Sequence, residues 1–183
     1  MFELLETLYG AFDKIANRRG VFKVETIGDC YVAVTGIPEP MADHAVVMVK
    51  FANDCMTEMN RLVHELIETL GPDTADLRMR VGCHSGSTTA GVLRGEKGRF
   101  QLFGDTVNTA SRMESNGVPD RIHVSQATAD ALILRGKSQW LIPRETLVEA
   151  KGKGVMQTYF VNIKAEQSVG TFSLTGTESR SSS

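Results

Sequence analysis

Three short stretches concentrate the side chains able to act on a charged substrate. Lys23 to Tyr31 (KVETIGDCY) sets Glu25 and Asp29 four residues apart, with Asp29 in a tight Gly28-Asp29 turn. Phe103 to Met113 (FGDTVNTASRM) sets Asn108 and Arg112 four residues apart, so that on a helix an amide and a guanidinium share one face. Lys151 to Gly154 (KGKG) places a lysine in a loop whose glycines let backbone approach phosphate oxygens. A fourth segment alternates Leu77, Met79, Val81 and Cys83 with Arg78 and Arg80, which puts both arginines on the polar face of a strand. Taken singly, each has an ordinary structural reading: a turn aspartate, a surface helix pair, a solvated loop, an exposed sheet cation.

Whole-chain charge offers no substitute for these local groups. A formal net charge of -2 over 183 residues gives no general attraction for nucleic acid or anionic lipid, so phosphate binding has to be local. The three cysteines, Cys30, Cys55 and Cys83, lie far apart and form no Cys-x-x-Cys pair, which suggests neither a disulfide framework nor a thiolate zinc site and suits a reducing compartment. His44, His64, His84 and His123 form no metal-spaced pair. Gly86 to Gly91 has the glycine spacing of a phosphate-binding P-loop but runs on into Val92-Leu93 instead of Lys-Ser/Thr, and reads as strand and turn. No apolar run approaches the roughly 18 residues that would insert into a bilayer.

These groups need a scaffold, and the apolar periodicity supplies one. Phe2, Leu5, Leu8, Phe12 and Ile15 recur at helical spacing until Gly20, so the first residues lie within a helix. Residues 21–35 read as a β-hairpin with a polar tip. Asp43 is placed to cap a long helix with the stripe Ala45, Met48, Ala52, Cys55, Met59, Leu62, Leu66 and Leu70, which Gly71-Pro72 stops. Strands are expected at 77–83, 88–93, 99–103, 121–124, 139–142, 145–149 and 155–163, with a turn at residues 95–98. Helices are expected from Thr106 to Ser115 and, capped by Ser125, to Leu134. Intermixed helices and hairpins predict an α+β domain, an α/β sandwich with a mainly antiparallel sheet, over residues 1–164. The Ser/Thr/Gly-rich residues 165–183 read as a disordered tail.

KVETIGDCY, FGDTVNTASRM and KGKG, in this order and spacing, resemble the catalytic domains of class III nucleotide cyclases. The resemblance runs to about Ile163 and implies a ferredoxin-like sheet. Such enzymes join the ribose 3′-oxygen to the α-phosphorus of a nucleoside triphosphate and expel pyrophosphate. Divalent metal, two Mg2+ or Mn2+ per site, screens the triphosphate. Asp29 matches one of two metal-binding aspartates. The other belongs to a strand before the first helix, and no such strand precedes the helix here. Glu3, Glu6 and Asp13 do not match it and read as a solvated face. The fold is therefore expected to lack its first strand, and the chain as written to be weakly active or inactive alone.

Glu25 matches the position that selects the purine, glutamate in guanylyl and lysine in adenylyl cyclases. A carboxylate accepts from guanine N1–H and the N2 amine, which adenine does not offer. Gln101 departs from the pattern, cysteine or aspartate in the family, and its amide can serve either base. Asn108 and Arg112 match the pair that positions ribose and meets charge on the α-phosphate; Lys151 and Arg80 match triphosphate-binding cations. In the family Asp29 and Arg80 come from one protomer, and Glu25, Gln101, Asn108, Arg112 and Lys151 from the other, so a homodimer or heterodimer is implied. The resulting expectation is a guanylate cyclase acting on GTP, cytoplasmic or on the cytoplasmic side of a membrane if the parent chain is a receptor. An adenylate cyclase acting on ATP and a non-catalytic dimerisation module are the alternatives.

Overall fold

The computed structural model describes residues 2–93, 99–150 and 152–163. The first helix, α1 (Phe2–Arg19), buries Leu4, Leu8, Phe12, Ile15 and Ala16. This stripe runs through Leu4, while Leu5 is only half-buried, because the face turned to the next helix follows the i, i+4 ridge. Gly20, at φ 69°, ends α1 in the left-handed conformation that glycine adopts without penalty.

A hairpin follows, β1 (Phe22–Ile27) against β2 (Cys30–Val34), turning at Gly28 with φ 60°. Its register slips between Lys23 and Glu25, a bulge that breaks the simple alternation expected for the strand. Tyr31 carries the hairpin onto α1, its ring 5.7 Å from Phe12 in an edge arrangement and 5.6 Å from Tyr9. Asp13 closes the same joint, accepting from Lys23 Nζ at 2.9 Å and from Tyr31 Oη at 2.7 Å. Asp13 thus ties two elements together as well as facing solvent; the partners that engage it lie 10 and 18 residues further along the chain.

The long helix α2 (His44–Leu70) joins two cores. Phe51, Cys55, Met59, Leu62 and Val63 pack with α1 and the hairpin, whereas Ala45, Val46, Val49 and Ala52 pack with Cys83, Ile122, Val124, Leu132 and Trp140. Asp43 makes no side-chain cap, contrary to the sequence expectation; His44 N–H bonds to the Met41 carbonyl instead.

The second core lies on a four-stranded sheet of β3 (Val81–Cys83), β6 (Ile122–Ser125), β7 (Leu141–Pro143) and β10 (Thr158–Val161), in the order β3-β6-β10-β7. Only the β3–β6 pair is parallel. Its covering helices are α3 (Asp105–Ser115) and α4 (Gln126–Leu134), the latter capped by Ser125, whose Oγ accepts from Thr128 N–H at 3.4 Å. Two further hairpins, β4 (Thr89–Leu93) with β5 (Arg99–Phe103) and β8 (Val148–Ala150) with β9 (Gly154–Met156), complete the described strands. The strand expected at 77–83 is shorter: residues 72–76 form a 3-10 turn, and only Val81–Cys83 ladder with β6. The strand expected at 155–163 breaks at Gln157, whose Nε2 donates to the Arg144 and Thr158 carbonyls. The turn at 95–98 and the tail at 165–183 lie outside the described residues.

The domain is α+β and mainly antiparallel, and among the described residues the hairpin and the four-stranded sheet are separate. The outer edges of β2 and β3 have no strand partner among these residues, and both border one cleft of about 1780 Å³.

Candidate active site

Asp29 and Cys30, at the hairpin tip, stand on one wall of this cleft, and Arg80 and Glu114 line it as well. Burial raises the Cys30 thiol, and the carboxylates of Glu114 and Asp29 add to the effect, which ties these groups to one neighbourhood. Tyr9 Oη is buried there without a partner among the described residues; burial, Cys30 and Asp29 together raise its hydroxyl. Arg80, one residue before β3, donates from Nε to Glu114 Oε1 at 2.8 Å. Glu114 is placed by close packing of α3 on β3: a Cβ on Gly82 would stand 2.0 Å from the Glu114 nitrogen.

Helix α3 is anchored on the side away from solvent. Thr109 and Met113 are buried, and Thr109 Oγ1 donates to the Asp105 carbonyl at 2.9 Å. The Met113 carbonyl accepts from His123 Nδ1 at 2.7 Å; since a carbonyl only accepts, Nδ1 carries the proton and Nε2 accepts from Thr158 Oγ1 at 2.7 Å. Asn108 is exposed and lines the cleft, while Arg112, one turn on, is half-buried and outside its wall. At the N-terminus of α3, Asp105 pairs with Lys153 of the β8–β9 turn, and Thr106 Oγ1 donates to the Ser87 carbonyl.

Glu25 and Gln101 lie half-buried on β1 and β5. These strands touch through Phe22 and Phe100, whose rings are 5.0 Å apart, and Gln101 faces Gly91 across its hairpin. Neither Glu25 nor Gln101 lines the cleft that holds Asp29, Arg80 and Asn108. Lys151 lies outside the described residues. No group of three or more His, Cys, Asp or Glu among the described residues is placed to hold a metal ion. Two ions about 3.5–4 Å apart need carboxylates from more than one place, and these residues do not make such a site by themselves. No helix among them is long and apolar enough to cross a membrane.

Sequence reasoning missed Glu114, Asp105 and Lys153. Glu114 lies 34 residues from Arg80 and Asp105 lies 48 residues from Lys153, so no local periodicity links them.

The model of the adenylate and guanylate cyclase catalytic domain matches residues 1–163. A receptor-type guanylate cyclase of Caenorhabditis elegans, gcy-28, is 44% identical over 160 residues, which are 86% of this chain and 12% of that relative. The chain therefore spans a small part of the curated relative's length. The guanylate cyclase domain of RhGC from Catenaria anguillulae, solved in complex with GTP, superposes with a TM-score of 0.72 at 44% identity, covering 88% of this chain and 83% of that one. A non-canonical dimeric guanylyl cyclase domain of the RhoGC fusion protein from Blastocladiella emersonii gives 0.69 at 40% identity, covering 88% and 82%. With the motifs on a matching fold, the chain belongs to the adenylate and guanylate cyclase catalytic domain family.

Proposed function

We propose that this domain converts GTP to cyclic GMP and pyrophosphate, in a dimer to which each protomer brings part of each site. Glu25 carries the choice of base: half-buried on β1, next to the strand that bears Gln101, it accepts from guanine N1–H and the N2 amine. Adenine would leave that carboxylate facing a lone pair, a mismatch worth on the order of 10²-fold or more. Gln101 donates to guanine O6. Of the two solved relatives described above, the RhGC domain was solved with GTP.

In the proposed reaction the ribose 3′-oxygen loses its proton to solvent water and bonds to the α-phosphorus while the bond to the bridging oxygen breaks and pyrophosphate leaves with that electron pair. Asn108 holds the ribose, and Arg112 meets the charge that grows on the α-phosphate oxygens. Lys151 and Arg80 bind the outer phosphates. The dimer reading is supported by the cleft: Asp29, Arg80 and Asn108 line it, Glu25, Gln101 and Arg112 do not, and a head-to-tail partner would bring a second Glu25, Gln101 and Arg112 to it. The RhoGC relative was solved as a non-canonical dimer, which supports pairing of such domains but not this head-to-tail arrangement. The family's chemistry calls for divalent metal, which Asp29 would help to hold together with a carboxylate from outside the described residues.

Competition binding tests the base choice. GTP is expected to bind on the order of 10²-fold more tightly than ATP, and Glu25→Lys to remove that preference. Equal affinities in the unmodified chain would refute guanine selection.

A further inference from the structure

The contact between Asp105 and Lys153 is not used by the roles assigned above, yet it joins two of the elements that carry them. Asp105 is the first residue of α3, three residues before Asn108 and seven before Arg112. Lys153 belongs to the turn between β8 and β9, flanked by Gly152 and Gly154 at φ 81° and 74°, and the same KGKG segment contains Lys151. The carboxylate oxygen of Asp105 accepts from Lys153 Nζ.

We propose that Asp105 is a positioning residue for the triphosphate: by holding Lys153 it fixes the turn of residues 152–154 at the N-terminus of the helix that carries Asn108 and Arg112. The inference rests on the nucleotide reading above.

Three observations favour a positioning role over a stabilising one. The pair is open to solvent, with the Asp105 side chain 65% and the Lys153 side chain 32% exposed, and such surface pairs contribute little to folding. The turn has glycines on both sides of Lys153, both in the left-handed region, so its backbone has a wide choice of conformations until a side-chain tether reduces it. The same helix end is tied a second time, by Thr106 Oγ1 to the Ser87 carbonyl, so α3 stays seated if the lysine lets go and the turn is the part left unrestrained. The Lys153 hydrogen bond also holds the Asp105 carboxyl below the usual carboxylate range, so the anionic partner persists at neutral pH. A carboxylate in the first helical turn is favoured by the helix dipole, so Asp105 is stably placed before any nucleotide arrives.

The test compares the full chain with Asp105→Asn and Asp105→Glu, reading amide hydrogen exchange in residues 152–156, the Kd for GTP in Mn2+, and the melting temperature. Asp105→Asn is expected to speed exchange in the turn and weaken GTP roughly tenfold with little change in melting temperature, and Asp105→Glu to recover most of both. Faster exchange with GTP affinity within about twofold of the unmodified chain would overturn the proposal, as would no change in either. Absence of GTP binding by the unmodified chain would instead overturn the nucleotide reading, and the proposal with it.

Discussion

The half built on α1 and the hairpin and the half built on the four-stranded sheet share α2, but they are held in different ways. In the sheet half, Met113, Val124, Leu132, Trp140 and His123 have no exposed surface, and four strands are laddered together. The hairpin half has two strands, an aromatic cluster of Tyr9, Phe12, Tyr31 and Phe51, and the Asp13 tie. Asn108 and Arg112 ride on the first; Asp29 and Glu25 ride on the second. The groups proposed to meet transition-state charge thus stand on the more fully packed frame, where preorganised donors act without reorganising. The groups proposed to choose the base and hold metal stand on the half tied through α2 and a few polar contacts.

Breaking the seat of α3 should have the largest effect. Gly82→Ala drives a methyl group into the backbone of Met113 and Glu114, atoms that no rotamer change can move, and is expected to cost about 3 kcal/mol or more in urea unfolding. No comparable glycine contact exists in the hairpin, where a Cβ on Gly28 meets nothing within 4 Å, although its φ of 60° still disfavours a side chain.

Next in size is a purely chemical loss. Arg112→Ala should lower turnover on the order of 10²-fold, about 2.7 kcal/mol of transition-state stabilisation, while thermal unfolding stays within about 1 kcal/mol of the unmodified protein. A fall in KM affinity with kcat intact would move Arg112 from the transition state to ground-state binding.

A pH titration of stability separates the two halves further. Burial lowers the pKa of His123, the Met113 carbonyl opposes this, and Arg144 reinforces it. The folded state therefore disfavours the second proton that the unfolded chain takes up below about pH 6.5. Stability is unaffected by His123 above that pH and declines as pH falls below it, by no more than about 1.4 kcal/mol per pH unit for one proton. Replacing His123 with glutamine should flatten this part of the profile.

The smallest effect is expected at the hairpin joint. Burial pushes the Asp13 carboxyl up, but the hydrogen bonds from Lys23 and Tyr31 and the lysine charge outweigh it and hold the group below its ordinary range. Asp13→Asn should cost on the order of 1 kcal/mol near neutral pH, because Asp13 and Lys23 keep much of their surface in solvent. The difference should vanish as pH drops through the depressed pKa.

Much of this frame was legible in the chain because it is local. α1, α2, α4 and the hairpins follow from apolar period and glycine stops, and the segments around Asp29 and Asn108 carried the family. What was not legible depends on where the elements are packed. The bulge at Lys23/Glu25 shifts which side chains share a face. Leu77–Arg80 alternates like a strand, yet β6 pairs only with Val81–Cys83. Glu114, Lys153 and Asp13 are ordinary charged residues in sequence, and their partners become neighbours only after folding.

One measurement bears most directly on the central claim. The chain, concentrated enough to dimerise and supplied with Mn2+, is given GTP and ATP in equal amounts, and the cyclic products are separated by chromatography. Cyclic GMP well in excess of cyclic AMP, at the low turnover expected of this chain alone, is the predicted result; cyclic AMP in excess would contradict it.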